Sequence, residues 1–133
     1  MPLTIGKLSK ATAVNVETIR YYERIGLLAA PSRTESGYRT FSEQDAARLR
    51  FIKRGRELGF SLDEIRTMVE LADQPEHACT DVDRLVQTHL VEVRQRIADL
   101  QRLEAELQRL AGCRESSVRE CRIIETLTGV RRP

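Results

Sequence analysis

Asn15-Val16-Glu17-Thr18-Ile19-Arg20-Tyr21-Tyr22-Glu23-Arg24-Ile25-Gly26 is the stretch from which the fold of this chain is read. Asparagine caps helix N-termini because its side-chain oxygen accepts from backbone N–H groups that lack a helical partner. Val16, Ile19 and Ile25 then recur at helical spacing, and Gly26 stops the helix as a C-terminal glycine does. Upstream, Thr4 caps a shorter pattern carrying Ile5, Leu8 and Ala11, and Ala13-Val14 supplies a brief turn. Two short helices joined by a tight turn make a helix-turn-helix. With Val16 and Ile19 inward, Glu17, Thr18, Arg20, Tyr21 and Arg24 are left on the outer face. Arginine grips guanine edges or phosphates, and a tyrosine hydroxyl reaches phosphate oxygens. That face predicts a DNA-reading helix; the plain alternative is a solvated surface with Tyr22 filling the core.

Working outward, Ser36-Gly37 marks a turn and Tyr38-Arg39-Thr40-Phe41 has strand-forming residues. A small hairpin is expected, a wing, with Arg33 and Arg39 in or beside it. Ser42 with Asp45 reads as a capping box opening a helix with Ala46, Leu49 and Ile52 inward, ended by Gly59. That helix carries a basic cluster, Lys53-Arg54-Gly55-Arg56. Ser61 with Glu64 is a second capping box, and Ile65, Met68 and Val69 form the apolar face that follows. A loop at Pro75 closes this block, so residues 1–74 are expected to be a winged helix-turn-helix DNA-binding domain.

Beyond the loop, one helix is expected from about Asp81 to Ala111. Val86, Val93, Leu100 and Leu107 repeat every seven residues, and Leu90, Ile97, Leu103 and Leu110 fill the companion positions. This is a coiled-coil seam, which a lone helix has nowhere to bury. The chain has three cysteines: Cys79 just before this helix, Cys113 and Cys121 just after it. A straight helix of that length is roughly 45 Å long, so Cys79 cannot meet the other two within one subunit. An antiparallel second copy brings the start of one helix beside the end of the other. Residues 75–112 are thus expected to form the connecting loop and dimerisation helix, and residues 113–133 a metal-binding loop, short helix and frayed tail. Thr80 and Asp83 are placed to cap the helix beside Cys79, where the helix dipole favours the thiolate. Soft thiolates select soft or borderline ions. His77 is a further candidate ligand.

Composition sets the outer bounds. The charged fraction is 32% and aromatics are few, which suits exposed helices better than a sheet-based core. Net charge is only +2, so the chain as a whole is not a basic nucleic-acid binder. Its distribution is mildly uneven: residues 1–70 carry 12 Lys and Arg against 9 Asp and Glu, and residues 71–133 carry 10 against 11. No signal peptide or membrane span is visible, so a cytoplasmic protein with reduced thiols is expected. No catalytic constellation appears.

The stretches Thr18-Ile19-Arg20-Tyr21-Tyr22-Glu23, Gly26-Leu27-Leu28, Gly37-Tyr38-Arg39 and Leu58-Gly59-Phe60-Ser61-Leu62-Asp63-Glu64-Ile65 closely resemble the MerR family of bacterial transcription regulators, over nearly the whole chain. The resemblance implies a mainly α fold, a winged helix-turn-helix followed by a long antiparallel coiled-coil dimerisation helix, which agrees with the reading above. By resemblance, Arg20 and Tyr21 contact DNA, and Tyr38, Arg39 and Arg56 are wing and backbone-contact residues. With the outer-face, wing and basic-cluster candidates, the expected DNA-binding set is Thr18, Arg20, Tyr21, Arg33, Tyr38, Arg39, Lys53 and Arg56.

The metal-sensing branch of that family has cysteines at these three points, the first from the opposite subunit to the other two. Copper and gold regulators have serine where Cys79 stands, so Cys79, Cys113 and Cys121 point to a divalent ion. Mercury is the first expectation, then lead, cadmium or zinc. The loop holds seven residues between its cysteines, where mercury regulators usually have eight. The implied activity is a homodimer that binds promoter DNA, distorts the spacer when metal is bound, and so activates RNA polymerase at a resistance promoter. A thiol-redox or electrophile sensor on the same frame, with Cys113 and Cys121 forming a disulfide, is the alternative.

Overall fold

The computed structural model describes the chain except residues 1, 34, 36, 38, 115, 116 and 130–133. Its order is α1 (Ile5–Thr12), α2 (Val16–Arg24), β1 (Ser32–Arg33), β2 (Arg39–Thr40), α3 (Glu43–Glu57), α4 (Leu62–Ala72), α5 (Cys79–Leu110), a 3-10 turn (Val118–Glu120) and α6 (Arg122–Thr128). The fold is mainly α with a two-strand wing, as expected. The chain divides into two compact units, Met1–Leu85 and Val86–Pro133.

In the first unit, local signals set each helix. Thr4 and Asn15 accept from Lys7 N and Thr18 N as N-caps of α1 and α2. Both capping boxes form: Ser42 with Asp45 and Ser61 with Glu64 exchange side-chain and backbone hydrogen bonds. The turn between α1 and α2 places Ala13 at φ 58°, a left-handed conformation without glycine. Ser9 Oγ donates to Val14 O at 2.6 Å and braces that turn. Antiparallel β1 and β2 pair Ser32 with Thr40 and Arg33 with Arg39. Phe41 then bonds back to Leu3 in both directions, each at 2.7 Å.

The core of this unit lies between α1, α2, α3 and α4. Leu8, Ile19, Ala46, Leu49, Ile52 and Ile65 are fully buried, with Leu27, Leu28, Phe41 and Phe60 around them. Met68 is only partly buried against it. Tyr22 joins the core, as the plain alternative for that side chain held. Gly55 lets α3 approach α4: a Cβ there would stand 3.1 Å from Ile65 Cγ1.

α5 corrects one expectation. It begins at Cys79, not near Asp81, so Thr80 and Asp83 lie inside the helix and do not cap it. The reason is local. His77 N bonds Gln74 O at 2.8 Å, and the His77 ring engages the Asp81 carboxylate, which winds the chain directly into the first turn. The seam residues Ile97, Leu100, Leu103 and Leu107 are exposed, and no residue of α5 is buried within the single chain. Gly112 at φ +92° follows the end of α5. Gly129 closes α6, and the rest of the tail, 130–133, is outside the described residues.

Candidate functional site

The candidate nucleic-acid face is built on α2, α3 and the wing. Ile19 and Tyr22 point into the core, which turns Arg20 and Tyr21 outward; both are exposed. The Arg24 guanidinium sits 5.9 Å from the centre of the Tyr21 ring, so a cation and an aromatic face are held together on that surface. Thr18 is partly buried, its N–H donating to Asn15 Oδ1 at 2.8 Å. Thr18, Lys53 and Arg56 line one shallow depression, so the start of α2 and the last half of α3 converge there. Arg56 Nη1 donates to Phe60 O at 2.9 Å, which holds its guanidinium against the end of α3. Lys53 Nζ stands 3.9 Å from Glu57, a carboxylate that Arg54 also engages at 3.0 Å. These are exposed pairs of little stability value.

The wing arginines have protein partners. Arg33 Nη1 donates to Gly37 O at 2.9 Å, bracing the tip of the hairpin. Arg39 Nη1 lies 3.5 Å from Glu23 Oε2, an oxygen that is buried and makes no hydrogen bond among the described residues. Arg39 therefore ties the wing to α2. Tyr38, the remaining wing candidate, is outside the described residues.

The sequence reading missed this strut, and it missed Arg66. Arg66 Nη2 donates to Ile25 O at 2.7 Å, satisfying a carbonyl at the end of α2 from 41 residues away. Nothing in local sequence announces either link, since both are made by tertiary proximity. The one available signal was that Arg66 is the single basic residue of α4, which is weak.

At the thiol end, Cys79 is the first residue of α5 and exposed. The 32 residues of that helix rise about 48 Å. Cys113 follows Gly112, and Cys121 immediately precedes α6; both are half-buried. Between them the 3-10 turn returns the chain, with Cys121 N bonding Val118 O at 3.1 Å. Arg122 Nη2 donates to Leu110 O and Ala111 O, each at 3.4 Å. His77 is committed to Asp81. That hydrogen bond lowers the Asp81 pKa below its ordinary value; desolvation opposes it, and the charges of His77 and Arg84 add smaller lowering contributions. Three thiols with no disulfide suit a soft or borderline ion. The chain carries two of them past one end of α5 and one at the other.

Comparison with known proteins places this architecture. Residues 3–71 match the family model for the MerR HTH family regulatory protein, and residues 46–110 match the model for MerR, DNA binding. The mercuric resistance operon regulatory protein of Bacillus cereus is 45% identical over 129 residues, covering 96% of this chain and 98% of that protein. The transcription regulator PbrR691 from Ralstonia metallidurans CH34, solved in complex with lead(II), superposes with a TM-score of 0.83 at 40% identity, over 94% of this chain and 98% of that one. The dual-function regulator MerR of Bacillus megaterium MB1, solved with mercury(II), gives a TM-score of 0.73 at 40% identity, over 95% and 99%. No helix among the described residues is long and apolar enough to cross a membrane. The chain belongs to the MerR family of helix-turn-helix transcription regulators, in its metal-sensing branch.

Proposed function

We propose that this chain acts as a homodimer that senses a thiophilic divalent ion and regulates transcription from promoter DNA. The observation that carries the reading is the placement of Cys79 at one end of a 32-residue helix and of Cys113 and Cys121 past the other. No single straight subunit gathers three sulfurs so arranged; two antiparallel copies do so twice. Each site would take Cys113 and Cys121 from one subunit and the partner subunit's Cys79. Relatives solved with lead(II) and mercury(II) support a large, soft ion. Three thiolates serve mercury(II) well, whereas zinc normally takes four ligands, so the order is mercury, then lead, cadmium or zinc.

Residues 1–74 read DNA, residues 75–112 connect and dimerise, and residues 113–133 carry the ion-binding loop. Arg20 and Tyr21 meet the operator from the recognition helix, with Thr18, Lys53 and Arg56 beside them and Arg33, Tyr38 and Arg39 from the wing. Ion binding must stabilise one dimer conformation over another for the signal to reach DNA, because a ligand shifts an equilibrium only by its differential affinity. The output is a change in spacer shape that RNA polymerase reads.

A promoter reporter challenged with mercury, lead, cadmium, zinc and copper salts tests the reading. The expected result is induction by at least one of the first four ions, abolished by Cys79→Ser while operator binding persists. Mixed dimers of a Cys79→Ser subunit and a Cys113→Ser/Cys121→Ser subunit regain one working site. Induction confined to copper overturns the divalent assignment. Induction by oxidants with no stoichiometric ion binding under reducing conditions transfers the chain to redox sensing.

A further inference from the structure

We infer that Arg122 is a positioning residue that closes the loop bearing Cys113 and Cys121 by capping the C-terminus of α5. The last carbonyls of a helix have no helical N–H to accept from. Here Ala111 N makes the final helical bond, to Leu107 O at 2.8 Å, and Gly112 at φ +92° turns the chain away. Arg122 Nη2 approaches the carbonyls of Leu110 and Ala111 at 3.4 Å each. A cation at this end also meets the negative pole of the helix dipole.

The placement of the two anchor points gives the contact its consequence. Ala111 stands two residues before Cys113, and Arg122 stands immediately after Cys121. The guanidinium therefore joins the chain on either side of the cysteine pair, making a noncovalent ring that contains both sulfurs. Held this way, the thiols meet at higher effective concentration than in an open loop. The two bonds are long for N–H···O, so the bracket shifts the loop ensemble several-fold and does not lock it. Both bonds come from one guanidinium nitrogen, whose two N–H groups lie in a fixed plane, whereas a lysine ammonium is a rotating point charge. The 3-10 turn contributes Arg119 nearby in sequence, with no bond to α5 among the described residues, which makes it the natural control.

The bracket refines the ion site proposed above, but its first test is independent of any ion. In a full-length Cys79→Ser background, the Cys113/Cys121 pair is equilibrated with glutathione buffers. The two protein thiols give two electrons and two protons to glutathione disulfide, forming one intramolecular disulfide and two glutathione molecules. Arg122→Ala and Arg122→Met are expected to lower the oxidation equilibrium constant about five- to tenfold, tenfold being about 30 mV. Arg122→Lys should fall between, and Arg119→Ala should match the parent. Far-UV circular dichroism and melting report whether α5 survives; a general loss of fold would lower helicity as well as the oxidation equilibrium constant. Second, mercury(II) titration with Cys79 intact should show unchanged stoichiometry and a comparable fold loss of affinity for Arg122→Ala. An equilibrium constant unchanged in Arg122→Ala, Arg122→Met and Arg122→Lys overturns the inference, whatever the titration gives. A shifted constant in a protein whose parent binds no mercury, lead, cadmium or zinc upholds the bracket and defeats the ion site.

Discussion

The first unit and α5 use similar residues to opposite ends. In the first unit, Leu8, Leu49, Ile52 and Ile65 are at 0% exposure, because four short helices supply walls for one another. In α5, Leu100 and Leu107 are 64% and 63% exposed although they recur with equal regularity. Each leucine of that seam forgoes about 1.5–3 kcal/mol of burial while it faces water. A 32-residue amphipathic helix derives its stability mainly from packing, not from propensity. Periodicity therefore marks which face is apolar, and topology decides whether the same chain can cover it. The difference between the two regions is the one the proposed dimer would explain: one unit covers its own apolar face, and the other leaves its seam for a partner.

The severest way to break that contrast is Leu100→Glu. In a dimer the change places two carboxylates in one seam, and each must be desolvated without a partner. The dimer dissociation constant should rise more than about 100-fold, read by sedimentation at micromolar protein. Operator affinity should fall with it, since two half-sites are then no longer linked. If the parent chain sediments as a monomer, the exposed seam has some other cover and the comparison loses its second term.

Ile52→Ala probes the other side. Ile52 is fully buried, and its truncation should destabilise the chain by about 2–4 kcal/mol, measured by urea unfolding. Dimer affinity among folded molecules should change little. Leu100→Glu and Ile52→Ala then separate along different axes, one through concentration and the other through denaturant. Equal effects of both on dissociation would mean that the two units fold as one.

How much of this was legible follows the same division between local and tertiary causes. Both capping boxes, the asparagine cap and the seam were readable because each is written within a few residues or one helical period. The start of α5 was misplaced by two residues, because the His77–Asp81 pairing winds the turn before Cys79 and has no standard cap signature. The links Arg66 to Ile25 and Arg39 to Glu23 were invisible, joining residues 41 and 16 positions apart whose approach depends on the finished fold. The proposed thiol site rests on the cysteine spacing, one helix length and the family resemblance. The cap that Arg122 places on α5 needed coordinates, since an arginine after a cysteine has no signature of its own.

The smallest expected effect sharpens the comparison at the turn between α1 and α2. Ala13 sits at φ 58°, where a side chain costs about 1–2 kcal/mol relative to an unstrained backbone. Ala13→Gly removes that strain, yet glycine gives the unfolded chain more freedom, offsetting about 0.4–1 kcal/mol. The net gain should lie between about 0 and 1.6 kcal/mol, a melting shift of a few degrees. Ala13→Val separates strain from entropy, because a β-branched residue tolerates positive φ worse than alanine and should lose stability. In both variants the dimer dissociation constant should stay at the parent value, since the turn is braced within the first unit by the Ser9–Val14 bond. A change in dimer affinity from so local a substitution would show that the turn's strain is transmitted to α5, and that the reader is less self-contained than its core implies.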